Sequence, residues 1–260
     1  MSTTQMKAQR FEGQTAIVTG ASRGIGLAIA HRLVAEGAKV CITARKPDPL
    51  QEALEEFPEG SAIAIAGKAD DAGHRREVFD TMAERFGHVD ILVNNAGINP
   101  VYGTMMELDL DAARKISDVN VLATLAWTQD LYRHEGLGFA ERGGAVVNIS
   151  SVSGQTPSPG IGFYGISKAA IAHLTRTLGV EMGPKVRVNA VAPAVVKTQF
   201  AKALYEGKED EVAAKYPLQR LGTPEDVAAA VAFLASPDAS WITAQILNLD
   251  GGLDAAGGTA

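Results

Sequence analysis

Thr15-Ala-Ile-Val-Thr-Gly20-Ala-Ser-Arg-Gly24-Ile-Gly26 decides how the chain folds. Its first five residues are a short β-branched apolar run, the pattern of a buried strand. Gly20, Gly24 and Gly26 break that run, and residues 27–36 carry a helical pattern closed by Gly37. Lys39-Val-Cys-Ile-Thr43 is a second apolar run. Strand, glycine turn, helix and strand make one βαβ unit. In that setting glycines permit a tight turn and close approach of a diphosphate. The helix start adds free N–H groups and the positive end of its dipole. A βα turn that binds nothing uses glycine for the same geometry.

The alternation continues to the end. Further strands are expected over residues 61–66, 89–93, 145–149, 186–191 and 244–249. Helices are expected over about 49–57, 73–86, 107–132, from Tyr164 onward, and over 224–235, with Thr223 as cap and Pro224 in the first turn of the last. Strands alternating with helices give an α/β fold: a mostly parallel, doubly wound sheet with helices on both faces. No linker or composition break interrupts it. One domain therefore spans residues 13–253, between tails at 1–12 and 254–260.

Composition narrows the function. The chain has 260 residues, 46% hydrophobic and 21% charged, ordinary for a globular protein with a large core. A formal charge of −6 argues against broad binding to nucleic acid or a membrane surface. No apolar run reaches the length of a membrane span, and residues 1–10 lack a signal-like segment. The single cysteine, Cys41, excludes an internal disulfide and fits a reducing compartment. The five histidines lack ligand spacing, so no metal site is expected. The C-terminal Gly257-Gly-Thr-Ala260 carries no address signal, and a cytoplasmic location is expected.

Charge also bears on the choice of dinucleotide. An acid at the end of the second strand would pair ribose hydroxyls and favour NAD. That end reads Thr43-Ala-Arg45-Lys46, without an acid. Arg45 and Arg23 can both approach a 2′-phosphate through charge-assisted hydrogen bonds. NADP(H) is therefore the expected cofactor, although Arg45 and Lys46 also fit as solvated loop charges.

A second informative stretch is Ser151 to Lys168, with Tyr164-Gly-Ile-Ser-Lys168 at its end. Ser151 closes an apolar strand, a Gly/Pro/Ser-rich loop follows, and Tyr164 and Lys168 share one helix face. A cation near a phenol lowers its pKa, which suggests a tuned proton donor with a serine hydroxyl to hold a substrate oxygen. Alone, this spacing equally fits a helix start with a half-exposed tyrosine and a solvated lysine. No histidine lies where it would activate the serine as a hydrolase nucleophile.

Taken together, Thr19-Gly-Ala-Ser-Arg-Gly-Ile-Gly26, Asn94-Asn-Ala-Gly97, Ser151 and Tyr164-Gly-Ile-Ser-Lys168 resemble the classical short-chain dehydrogenase/reductases, over about residues 11–253. The resemblance implies a single Rossmann domain with a seven-stranded parallel sheet, usually a homotetramer. It implies that Ser151 orients the substrate carbonyl, Tyr164 is the acid or base, Lys168 lowers the Tyr164 pKa and binds the nicotinamide ribose, and Asn120 holds a relay water. It assigns Gly20, Ser22, Arg23, Gly24, Ile25, Gly26, Arg45, Asp70, Asn94, Ala96, Gly97, Pro193, Val196 and Thr198 to the cofactor, with Asp70 at the adenine. Asp70 also fits as a helix cap, Asn94 as part of a strand-end turn and Asn120 as a group satisfying backbone. One departure stands out: Pro193-Ala194 replaces the usual Pro-Gly, which matters if that position needs positive φ or close approach.

Substrate choice is expected in residues 98–104, 152–163 and 198–216. The last segment reads either as a helical lid with Phe200, Leu204 and Tyr205 facing the pocket or as a surface helix pair packed on the core. Lysines and acids offset one another along it, so it offers no basic docking patch. The expected reaction is NADPH-dependent reduction of a small-molecule carbonyl or acyl thioester, first of 3-oxoacyl-carrier-protein or CoA type. The alternatives are a broad ketone or dicarbonyl reductase, a secondary-alcohol dehydrogenase, and a non-catalytic NADP-binding regulator.

Overall fold

A computed structural model describes residues 9–258. Seven parallel strands form one sheet: β1 (Thr15–Thr19), β2 (Lys39–Ala44), β3 (Ala62–Ala66), β4 (Ile91–Asn94), β5 (Ala145–Ile149), β6 (Arg187–Pro193) and β7 (Ile246–Leu249). Their spatial order is β3-β2-β1-β4-β5-β6-β7, so the winding reverses between β1 and β4. Ligands bind at that switch point in doubly wound sheets, beyond the carboxyl ends of the strands.

The sheet is covered on both faces, which is why its strands read as unbroken apolar runs. Alternation sorts each strand between two cores. Ala16 and Val18 of β1, with Ile91 and Val93 of β4, face α1 (Gly24–Ala35), α2 (Pro47–Glu55) and α9 (Pro224–Ala235). Ile17 and Leu92 face α3 (Ala72–Arg85), α5 (Ala123–Arg133) and α6 (Gly162–Glu181), where Trp127, Phe79 and Met82 fill the space. Gly37, at φ 102°, ends α1 as expected. Thr223 and Asp226 form a reciprocal capping box at the start of α9, and Pro224 occupies its first turn.

Two expectations change at the edges. The tail assigned to residues 1–12 is shorter: Phe11 is fully buried, and Arg10 bonds Glu36 through two nitrogens at 2.6 and 2.9 Å. Residues 1–8 and 259–260 lie outside the described part. Beyond Leu253, which is buried, the chain folds back on itself, with Gly258 N–H donating to the Leu253 carbonyl. The helix expected over 107–132 begins later, as α4 (Leu110–Ile116), and passes through a π-helical segment, Ser117–Leu122, into α5. Such single-turn irregularities often mark functional positions, and this one contains Asn120. Between β6 and α9 lie α7 (Lys202–Tyr205) and α8 (Glu209–Ala213). No helix among the described residues is long and apolar enough to cross a membrane.

Candidate active site

The glycine loop sits on the switch point. Gly20 and Gly24 have φ of 66° and 58°, conformations that favour glycine. A Cβ at Gly20 would lie 2.9 Å from Ala96 Cα. Gly26 has a different constraint: a Cβ there would lie 2.5 Å from Asn95 Nδ2 and 2.6 Å from the Gly20 carbonyl oxygen. Asn95 staples the loop by donating from Nδ2 to the Thr19 and Gly20 carbonyls, both at 2.9 Å. The Thr19 hydroxyl in turn accepts from the N–H groups of Asn95 and Ala96 at 3.0 Å. Sequence reasoning left Asn95 and Thr19 outside the site. Their signals are the Asn-Asn doublet at one strand end and a threonine at the other.

The cradle is bare backbone under an overhanging Thr198, whose methyl lies 3.4 Å from where a Gly24 Cβ would be. This geometry and the helix start beyond it fit a dinucleotide diphosphate. Arg23 and Arg45 are both exposed at this edge, where the Ala21 N–H bonds the Thr43 carbonyl at 2.9 Å. Neither has an ion-pair partner among the described residues. Ser22 and Ile25 are partly buried on the same loop, Ile25 against the core. Asp70 pairs with Lys115 and is held below the usual carboxylate range mainly by that bond. It is not the helix cap: Asp71 is, accepting from His74 N–H at 2.8 Å.

Two assigned side chains point elsewhere. Asn94 is buried beneath the site, donating to Asn148 Oδ1 at 2.9 Å and to Thr128 Oγ1 at 3.3 Å, while Asn148 donates to Thr175 Oγ1 at 2.9 Å. This ladder ties β4 to β5, so Asn94 does not present its amide to a cofactor. Val196 is also buried in the core, leaving only its backbone facing outward. Ala194 resolves the Pro-Gly departure. Its φ is not positive, and its methyl packs with Ala201 and Leu204 against Tyr216 and Leu253.

The candidate reacting groups meet at the carboxyl ends of β4, β5 and β6. Positions differ in what they contribute. A Cβ on Gly97 would lie 3.5 Å from both Asn120 Oδ1 and Lys168 Nζ. Asn120 is buried; its amide accepts from Ile98 N–H at 2.8 Å and donates to the Ile98 carbonyl and Ser167 Oγ at 3.0 Å each. Through these bonds its side chain positions the 98 loop. Ser167 donates to the Tyr164 carbonyl at 2.7 Å, linking Asn120 to the start of α6. Ser151 approaches Ser153 Oγ at 3.2 Å and the Pro193 carbonyl at 3.4 Å, and accepts from Ser153 N–H at 3.2 Å.

Lys168 is buried, and its Nζ donates to the Ile149 carbonyl at 2.7 Å, 5.5 Å from the centre of the Tyr164 ring. The expected lowering of the Tyr164 pKa is not what this geometry gives. Burial pushes the phenol up to about 12, with the Ser151 hydroxyl pulling the other way. Tyr164 is thus a protonated donor at neutral pH.

Burial also lowers Lys168 from 10.5 to about 8. An unfolded lysine holds its proton between those values while the folded one has lost it, so this group's contribution to stability rises with pH from about 8 to 10.5. Below that window the cost is fully present, about 3 kcal/mol from the shift, against about 1.5–3 kcal/mol from its charge-assisted hydrogen bond. Lys168→Met should therefore raise the melting temperature at pH 7, and the gain should shrink by pH 10. Thermal unfolding of both proteins across that range checks it; a Met variant less stable at pH 7 would refute the assignment.

A cavity of about 160 Å³ opens beside Tyr164, walled by residues 99–109 and 160–164. Residues 105–109 were not among the expected substrate segments. The 198–216 segment divides: Phe200 lies over the active tyrosine, ring centres 6.0 Å apart, whereas Leu204 and Tyr205 pack on the Val195–Tyr216 cluster. None of the three is among the residues that wall the cavity; Phe200 alone stands against the Tyr164 ring.

Comparison with known proteins places this geometry. A family described as enoyl-(acyl carrier protein) reductase matches residues 20–254. Tropinone reductase-like 3 of Erythroxylum coca is 39% identical over 253 residues, 95% of this chain and 96% of that protein. Dehydrogenase/reductase SDR family member 4 of Homo sapiens is 38% identical over 249 residues, 92% and 87% of the two chains. A short-chain glucose/ribitol dehydrogenase structure from Brucella melitensis superposes with a TM-score of 0.89 at 29% identity, covering 95% of this chain and 99% of that one. With the strand order, the glycine cradle and the Ser151, Tyr164 and Lys168 cluster, these likenesses establish that the chain belongs to the short-chain dehydrogenase/reductase family, oxidoreductases that use a nicotinamide cofactor.

Proposed function

We propose that the protein is an NADPH-dependent reductase of small carbonyl compounds. The observation that carries this reading is the meeting of Ser151, Tyr164 and Lys168 at the carboxyl ends of the strands, with Tyr164 also lining a cavity of about 160 Å³. The loop from Gly20 to Gly26, Ala96, Gly97, the Pro193 backbone and Thr198 would hold the dinucleotide, and Arg23 and Arg45 its 2′-phosphate. The bound nicotinamide supplies the hydride. Ser151 donates a hydrogen bond to the carbonyl oxygen where negative charge develops. Tyr164 delivers the proton to that oxygen, and the Lys168 cation meets the phenolate left behind. The relative named tropinone reductase-like 3 supports a compact ketone over the 3-oxoacyl thioester expected first from sequence. Exposed Leu122, Ile166, Val180 and Trp241 support self-association, for which a homotetramer is the family expectation. A sedimentation run showing a monomer would remove it.

Oxidation of NADPH and NADH should be followed with a small ring ketone and a short β-ketoacyl thioester in parallel. NADPH consumption with the ketone supports the reading, and silence with both overturns it. Replacing Arg45 by Ala should lower the kcat/KM preference for NADPH over NADH by about ten- to a hundredfold, the worth of one charge-assisted hydrogen bond. An unchanged ratio would assign Arg45 to solvent.

A further inference from the structure

We propose that the pocket beside Tyr164 selects carbonyl compounds about the size of one six-membered ring that are neutral or cationic, and that it discriminates against anionic ones. The proposal rests on the reading of this cavity as the carbonyl site. Its volume, about 160 Å³, is close to the ~150 Å³ of a cavity that holds benzene. Its width is fixed. Gly103 N–H bonds the Gly160 carbonyl at 3.0 Å, and Gly103 pairs with Ile161 in a β-bridge, so the two walls are tied together. Met105 forms part of one wall, lying where a Cβ on Gly162 would come within 2.7 Å of its sulfur.

The charge of the lining has one sign. Apart from two tyrosines, its only ionisable side chains are Glu107 and Asp109, and among the described residues no Lys, Arg or His lines it. Both carboxylates are held in place. Glu107 accepts from Thr104 Oγ1 at 3.0 Å, and Asp109 caps α4 by accepting from Asp111 N–H at 2.9 Å. The neighbouring cations on α4 are engaged elsewhere, Arg114 with Asp111 and Lys115 with Asp70. Two fixed carboxylates with no cation in the lining disfavour a carboxylate or phosphate on the substrate and favour an ammonium. Because the acids are exposed, the discrimination is about tenfold at low salt and shrinks at high salt.

The test has two arms. In the first, cyclohexylammonium and cyclohexanecarboxylate, of equal size and inert to hydride, are titrated calorimetrically into the full-length protein saturated with NADP⁺. The cation should bind at least tenfold more tightly, and the Glu107→Gln/Asp109→Asn double variant should bring the two affinities together. Gln and Asn keep the Thr104 bond and the helix cap, so the fold is preserved. Equal affinities for the unaltered protein, no binding of either probe, or a double variant with the original ratio would overturn the proposal. In the second arm, N-methyl-4-piperidone, cyclohexanone and 4-oxocyclohexanecarboxylate are compared as substrates with NADPH. Binding selectivity without turnover of any ketone would leave the charge selectivity of the pocket standing and remove the reductase reading on which its carbonyl assignment rests; turnover without binding selectivity would overturn the proposal and keep that reading.

Discussion

Tyr164→Phe should lower kcat for carbonyl reduction by about 10³-fold, within the range contributed by a positioned general acid, while NADPH still binds. The substitution removes one oxygen and keeps the ring, which lies 6.0 Å from that of Phe200. The loss should therefore appear in kcat, because the proton is delivered only as the oxyanion forms. Cofactor affinity, read by the fluorescence change of NADPH on binding, should stay within about twofold, since the glycine cradle is on the other strands. Two alternatives give different numbers. If the phenol only packs the pocket, kcat stays near the wild-type value and KM rises. If the active acid lies elsewhere, neither changes, and the proposed mechanism fails.

Much of this site was legible because its chemistry depends on local sequence. The glycine loop, the Tyr-x-x-x-Lys spacing and the serine at a strand end are each set by one turn or one helix face, and the structure places them where those rules put them. What escaped depends on contacts between distant segments. Asn94 could not be assigned to the buried ladder without its partners Thr128 and Asn148, 34 and 54 residues away. The direction of the Tyr164 shift depends on how deeply the phenol is buried, and pair spacing carries no information about that. Phe11 looked like tail because nothing in its neighbours announces that the pocket behind α1 needs filling. The 198–216 segment escaped for the same reason: Phe200 and Leu204 are four residues apart, but the third apolar cluster claims only the second.

Gly26→Ala tests a distinction that sequence motifs blur. The motif suggests that each glycine serves the diphosphate, but Gly26 does not have positive φ, and its missing side chain makes room for other protein atoms. Alanine in a helix is worth up to about 1 kcal/mol over glycine, so substitution in an open helix would stabilise. Here the added methyl would sit 2.6 Å from the Gly20 carbonyl and 2.9 Å from Ala21 Cα, backbone atoms of the cradle itself. Overpacking of this kind costs about 1–3 kcal/mol, and the strain is relieved only by moving residues 20–21 away from the start of α1. Net stability should thus change by at most about 2 kcal/mol. Diphosphate binding should suffer more, since displacing two charge-assisted hydrogen bonds costs about 3–6 kcal/mol, a fall in NADPH affinity of more than a hundredfold. Gly60→Ala is the control, because Gly60 lies at φ 76° in open space away from the cradle. It should cost stability through backbone strain and leave affinity unchanged. Wild-type NADPH affinity in Gly26→Ala would show that the Asn95 staple and the tight loop are structural conveniences; loss of affinity with the melting temperature nearly kept would show that the packing at Gly26 holds the phosphate cradle in shape.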